Sequence, residues 1–126
     1  MRLHPGPPAA WKQVADLLAR GQRAFSAGRF YEAQSYWEAE SLVHSGDRRL
    51  AIQGLATIAA GMLALDEQRH RTAERLLVRG RWMLTSAPDV LGGADVGAVR
   101  AAADVIVTAL RRGDPASARG LVVPRP

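Results

Sequence analysis

Residues 28–65 read GRFYEAQSYWEAESLVHSGDRRLAIQGLATIAAGMLAL, and this stretch decides the fold. It predicts two antiparallel helices joined by a tight turn. Gly28 closes a preceding helix and Phe30 opens the next, because glycine tolerates the left-handed backbone just past a helix end. Phe30, Ala33, Trp37 and Leu42 recur at steps of three to five residues, the stripe of an amphipathic helix. Gln34 and Glu38 stand four apart beside that stripe, which aims both at or near the core. An unpaired polar group there costs about 1–3 kcal/mol, so these side chains need partners.

Ser45-Gly46-Asp47 supplies a turn followed by a capping residue, and a second helix then runs to about Leu65. Its inner residues are small: Ala51, Gly54, Ala56, Ala59, Ala60, Gly61 and Ala64. A glycine inside a helix costs about 1 kcal/mol relative to alanine. Close approach of a neighbouring backbone is the usual compensation, which makes this helix the centre of a bundle.

Outward from the pair, Trp11, Val14, Leu18, Gly21 and Phe25 form one apolar seam, predicting a first helix from about Ala9 to Ala27. Beyond the pair, a fourth helix is expected to about Ser86, with Ala73, Leu76, Leu77, Met83 and Leu84 inward. Asp66 and Glu67 before it suit the positive end of its dipole. Pro88 and Gly92-Gly93 mark residues 87–94 as a loop, and Asp95 caps a fifth helix to about Arg112. Val96, Val99, Ala103, Ile106 and Leu110 are its seam. No strand alternation is visible. The expected fold is all-α: a compact bundle of about five helices over residues 9–112, between an irregular arm (1–8) and a flexible tail (113–126). Ala33 and Ala73 occupy comparable places in helices two and four, an echo suggesting tetratricopeptide-like antiparallel hairpins.

A chain of 126 residues suffices for one domain. It has no cysteine, which removes a disulfide framework, a thiolate metal site and a cysteine nucleophile, and agrees with a cytoplasmic location. The run Ile52 to Leu65 is too short to span a bilayer, so no membrane association is expected. The net charge is +5, but of 17 basic residues only Lys12 is lysine. That bias reads as codon composition rather than a nucleic-acid ligand, and a basic balance speaks to solubility before it speaks to function.

The candidate chemistry is sparse. His4, His44 and His70 are expected at the surface, none with a second ligand at zinc spacing on its own helix. Among Glu32, Glu38 and Glu40, the first and last fit a solvated face, leaving Glu38 beside Gln34 as a polar pair or a general base. Arg71, Arg75 and Arg79 form a stripe at four-residue spacing that reads as a solvated face partly paired with Glu67 and Glu74. Trp82 is either core or an anchor for a partner.

Phe25 and Gly28, the run Phe30-Tyr31-Glu32-Ala33, then Glu38, Gly54-Leu55, Ala59-Ala60, and Ala73 with Leu76 resemble the domain of unknown function 309 family. These are small helical proteins, some labelled predicted metal-dependent hydrolases. The resemblance spans about half the chain. It implies a helical fold and a polar cluster in which the family reads His-Glu-x-x-Glu after the position of Ala33. This chain has Gln34-Ser35-Tyr36-Trp37-Glu38, so only the last acid is present. The family's Trp near Ser41, Gln near Thr57 and His near Ala64 are also replaced.

The expectation is therefore a divergent member without catalytic activity, a protein-interaction or scaffolding module with no metal or cofactor. Arg71, Arg75, Arg79 and Trp82 would contact a protein partner or a second copy of the chain. One alternative is a divalent-metal-dependent hydrolase with a degenerate site at Gln34, Glu38 and Thr57. A second is arginine-mediated nucleic-acid binding, ranked below both.

Overall fold

In the computed structural model, residues 17–113 are described. The arm at 1–8, the start of the first helix with Trp11 and Val14, and the tail beyond Gly113 lie outside them. Residues 17–26 are helical (α1), followed by α2 (Phe30–Ser41), α3 (Gly46–Asp66), α4 (His70–Met83) and α5 (Val96–Arg111). The fold is all-α, as the sequence predicts. One small departure is a two-stranded antiparallel hairpin, Val90–Leu91 (β1) with Ala94–Asp95 (β2), where a plain loop is expected.

The α1–α2 junction follows from glycine chemistry. Gly28 has φ of 79°, its N–H donates to Phe25 O at 3.0 Å, and Arg29 N–H reaches back to Ala24 O at 2.8 Å. These two bonds satisfy the carbonyls that a helix end leaves open. The chain then reverses, so Phe25 meets Phe30 edge-on at 5.3 Å and lies 5.8 Å from the Trp37 ring. Trp37 is fully buried, and its indole Nε1–H donates to Leu18 O at 3.2 Å across the hairpin. Gly21 makes that possible: a methyl there would fall inside the Trp37 ring.

Forty residues further on, the same device recurs. A methyl on Gly61 would lie 2.8 Å from Leu77 Cγ, and Gln68 N–H and Arg69 N–H donate to Leu65 O and Ala64 O, both at 2.9 Å. Ala33 and Ala73, each fully buried, accordingly hold matching places in α2 and α4. Here the residue past the helix end is Gln68, held at φ of 61° without glycine's freedom. Asp66 and Glu67 end α3 rather than opening α4, whose first turn carries no acidic residue.

α3 is the centre, packed against α2, α4 and α5. Ile52, Leu55, Ile58, Ala59 and Met62 are fully buried on it, and Gly54, Gly61 and Ala64 let neighbours come close. The tightest approach is to α4, where a methyl on Gly80 would stand 2.6 Å from Ile58 Cγ1 and 3.0 Å from Gly54 O. The compensation expected for glycine inside a helix is thus backbone proximity. By length and composition alone, the full 21-residue α3 could cross a membrane, unlike its Ile52–Leu65 portion; most of it is enclosed by the other helices.

α5 closes the bundle. Asp95 caps it by accepting from Ala98 N–H at 3.0 Å, and Val96, Val99, Ala103 and Ile106 face the core. Arg100 ties it to the end of α4, donating to Leu84 O at 2.6 Å, to Ala87 O at 3.0 Å, and to Asp89.

Candidate functional site

Two surfaces meet on α4. The first is an open groove of about 790 Å³ between α2 and α4, with α3 as its floor. Gln34 and Glu38 line it from α2, Gln53, Ala56, Thr57 and Ala60 from α3, and Leu76, Arg79 and Met83 from α4. The residues singled out as a polar site, Gln34, Glu38 and Thr57, therefore share one cleft. Their burial differs from expectation: Gln34 is half-buried and Glu38 exposed. The reason is helical phase, since Glu38 follows Trp37 by one residue and stands about 100° around the helix from it. The two satisfy each other, Gln34 Nε2 donating to Glu38 Oε2 at 3.0 Å, while the Thr57 hydroxyl donates to Gln53 O at 2.8 Å. Leu76 and Met83, expected inward, are half-buried walls of this groove.

The buried acid on α2 is instead Glu40, 4% exposed, and not on a solvated face. It lies on the phase of Phe30, Ala33 and Trp37, and the core seam ends at Glu40 and Ser41 rather than at Leu42, which is exposed. Its Oε2 is 2.6 Å from His44 Nε2, and its Oε1 has no hydrogen-bond partner among the described residues. His44 is thus a partner for a buried carboxylate, not a free surface histidine. The Glu-x-x-x-His spacing is the signal that sequence reasoning passed over.

A divalent ion asks for converging oxygen or nitrogen donors. The groove offers one carboxylate, the Gln34 amide already bonded to it, a second amide in Gln53, and three hydroxyls (Ser35, Ser41 and Thr57) whose protons are engaged by backbone carbonyls. Among the described residues, no three His, Cys, Asp or Glu side chains come together. These residues do not fit a catalytic metal.

The second surface is the outward face of α4. Arg71, Arg75, Val78 and Trp82 recur at steps of four, three and four, and all are exposed, Trp82 by 71%. Arg79 flanks this seam and reaches the groove as well. The expected pairing of the arginine stripe does not occur. Glu67 pairs with Arg69 and Glu74 with Arg111 of α5, while Arg81 pairs with Asp104 of α5. Arg71, Arg75 and Arg79 make no ion pair among the described residues. Like charges four apart on a helix destabilise it by roughly 0.2–0.5 kcal/mol per pair, so the stripe is a small standing cost to the fold.

Residues 18–76 match the family model described as Domain of unknown function (DUF309). Over these residues, just under half of the chain, it is similar to DUF309. The match covers α1, α2, α3 and the first half of α4, which includes Gln34, Glu38, Thr57 and the Glu40–His44 pair. Arg79, Val78 and Trp82 lie beyond the DUF309 match, as does all of α5. No curated protein and no solved structure matches the chain.

Proposed function

We propose that the chain is a non-catalytic protein-interaction module, cytoplasmic and built on tetratricopeptide-like hairpins, that engages its partner through the outward face of α4. One observation carries this: three arginines that make no ion pair among the described residues beside an exposed tryptophan, on a helix whose other side is locked into the core. Tryptophan and arginine are the residues most often found at the energetic centre of protein interfaces. Solvation alone gives no reason to keep Trp82 so exposed. A rigid helix also presents these side chains with little ordering cost on binding.

The hydrolase reading centred on Glu38 has a reachable groove in its favour but lacks the donor set. Nucleic-acid binding through the same arginines draws support from the +5 charge. It remains an outcome of the experiment.

The test is site-specific photocrosslinking in cell extract with a photoreactive tryptophan analogue at position 82, which keeps an indole-like ring on the seam. The same residue in place of Ala101 on exposed α5 surface is the control. Crosslinks are expected from the Trp82 position only, suppressed by excess wild-type chain and not by an Arg75→Glu competitor. Equal labelling from both positions, or competition by both chains alike, contradicts the proposal. A nuclease-sensitive product would transfer it to nucleic acid.

A further inference from the structure

Resting on that reading, we infer that the segment docking on α4 is an acidic amphipathic helix, with carboxylates facing Arg71, Arg75 and Arg79 and an apolar side chain seated on Val78 and Trp82. The charge argument comes first. The chain has carboxylates within reach of this region, and they are used elsewhere: Glu74 turns to Arg111 at 2.9 Å and Asp104 to Arg81 at 2.9 Å, both on the α5 side. The outward arginines are thus bordered by neutralised pairs, and on α4 the unpaired charge falls on one stripe. Arg20, Arg23, Arg48, Arg49 and Arg112 on other elements also make no ion pair among the described residues, but none of them stands beside an apolar seam of α4. A partner supplying anions to the stripe meets one nearby carboxylate, Glu74, which lines the same depression as Arg71, Arg75 and Arg79 and is already engaged by Arg111.

Spacing points to a helix. Four residues rise about 6 Å along a helix, so the three guanidinium stems are set over about 12 Å in even steps. Glutamates four apart on a second helix repeat that step. The four-three-four order of Arg71, Arg75, Val78 and Trp82 is the seam that helix-on-helix docking uses. The seam is basic in its first half and apolar in its second, so one partner helix must carry both an acidic and an apolar part. A nucleic acid strand would use the arginines and leave Val78 without a role.

The probe is a fluorescein-labelled helical peptide with glutamates four apart and leucines on the adjoining seam. Comparators are its Glu→Gln and Glu→Lys versions and a single-stranded oligonucleotide of matching charge. Anisotropy should show binding of the glutamate peptide, weakened about tenfold or more by Trp82→Ala and by Arg75→Glu with Arg79→Glu. The charge-reversed protein should gain binding to the lysine peptide, which shows it is folded and competent. Equal binding of the glutamine peptide, tighter binding of the oligonucleotide, or no binding of the glutamate peptide overturns the inference. Crosslinking from Trp82 to a partner without such an acidic helix would overturn it while leaving the interaction reading standing. Absence of any Trp82-specific crosslink would remove both.

Discussion

Gly80→Ala is expected to destabilise the fold, although alanine is the better helix former. The substitution gains about 1 kcal/mol of helix propensity. Against that, the new methyl would sit 2.6 Å from Ile58 Cγ1, 3.0 Å from Gly54 O and 3.0 Å from Ile58 N. Two of those atoms are backbone of the central helix and cannot swing away as a side-chain tip would. Relief requires α3 and α4 to separate, and overpacking of this kind costs about 1–3 kcal/mol, here toward the upper end. The net loss is about 1–2 kcal/mol. A domain of this size loses roughly 4–8 °C of Tm per kcal/mol, which thermal melting by circular dichroism resolves easily. Gly97→Ala is the matched control. Its methyl would meet Asp89 Oδ1 at 3.5 Å, an ordinary contact, so propensity should win and Tm should hold or rise. A Gly80→Ala protein as stable as wild type would refute the close α3–α4 approach as the reason for the glycine.

Three further outcomes follow from the same geometry. Gln68→Gly should raise stability by about 0.5–1 kcal/mol, measured by urea unfolding, because Gln68 sits at φ of 61° where a side chain is strained; a loss would mean its side chain does more than tolerate the turn. His44→Ala should cost about 1–3 kcal/mol by leaving the buried Glu40 carboxylate unpaired; adding Glu40→Leu should recover most of that, and a neutral single variant would sink the pairing argument. Arg75→Glu should stabilise the isolated domain by about 0.5–1 kcal/mol, since two like-charge pairs become opposite-charge pairs, while it weakens partner binding. A variant that lowers both stability and binding would mark Arg75 as structural.

The central hairpin was legible because its signals agree with one another. Gly28, the Phe30–Trp37 stripe and the small residues of α3 each follow from local backbone or packing demands, and all point to the same bundle. The phase at the end of α2 was harder. Following hydrophobicity leads from Trp37 to Leu42, whereas the helix turns its core face to Glu40 and Ser41. A buried acid breaks the apolar pattern on which sequence reading depends. Partnerships across the bundle were hidden too. Glu74 looks like a neighbour for Arg71 or Arg75 on its own helix, yet it pairs with Arg111, 37 residues away. The grouping of Gln34, Glu38 and Thr57 was readable as a set, and the exposure of Glu38 was also within reach, since it follows from a helical phase one residue past the buried Trp37.

The most direct test of the α4 docking face is a two-dimensional NMR titration of the full chain with the acidic helical peptide. Shifts confined to Arg71, Arg75, Val78, Arg79 and the Trp82 indole are the predicted result. Shifts centred on Gln34, Glu38 and Thr57, with α4's outward residues unmoved, would contradict it and return attention to the groove.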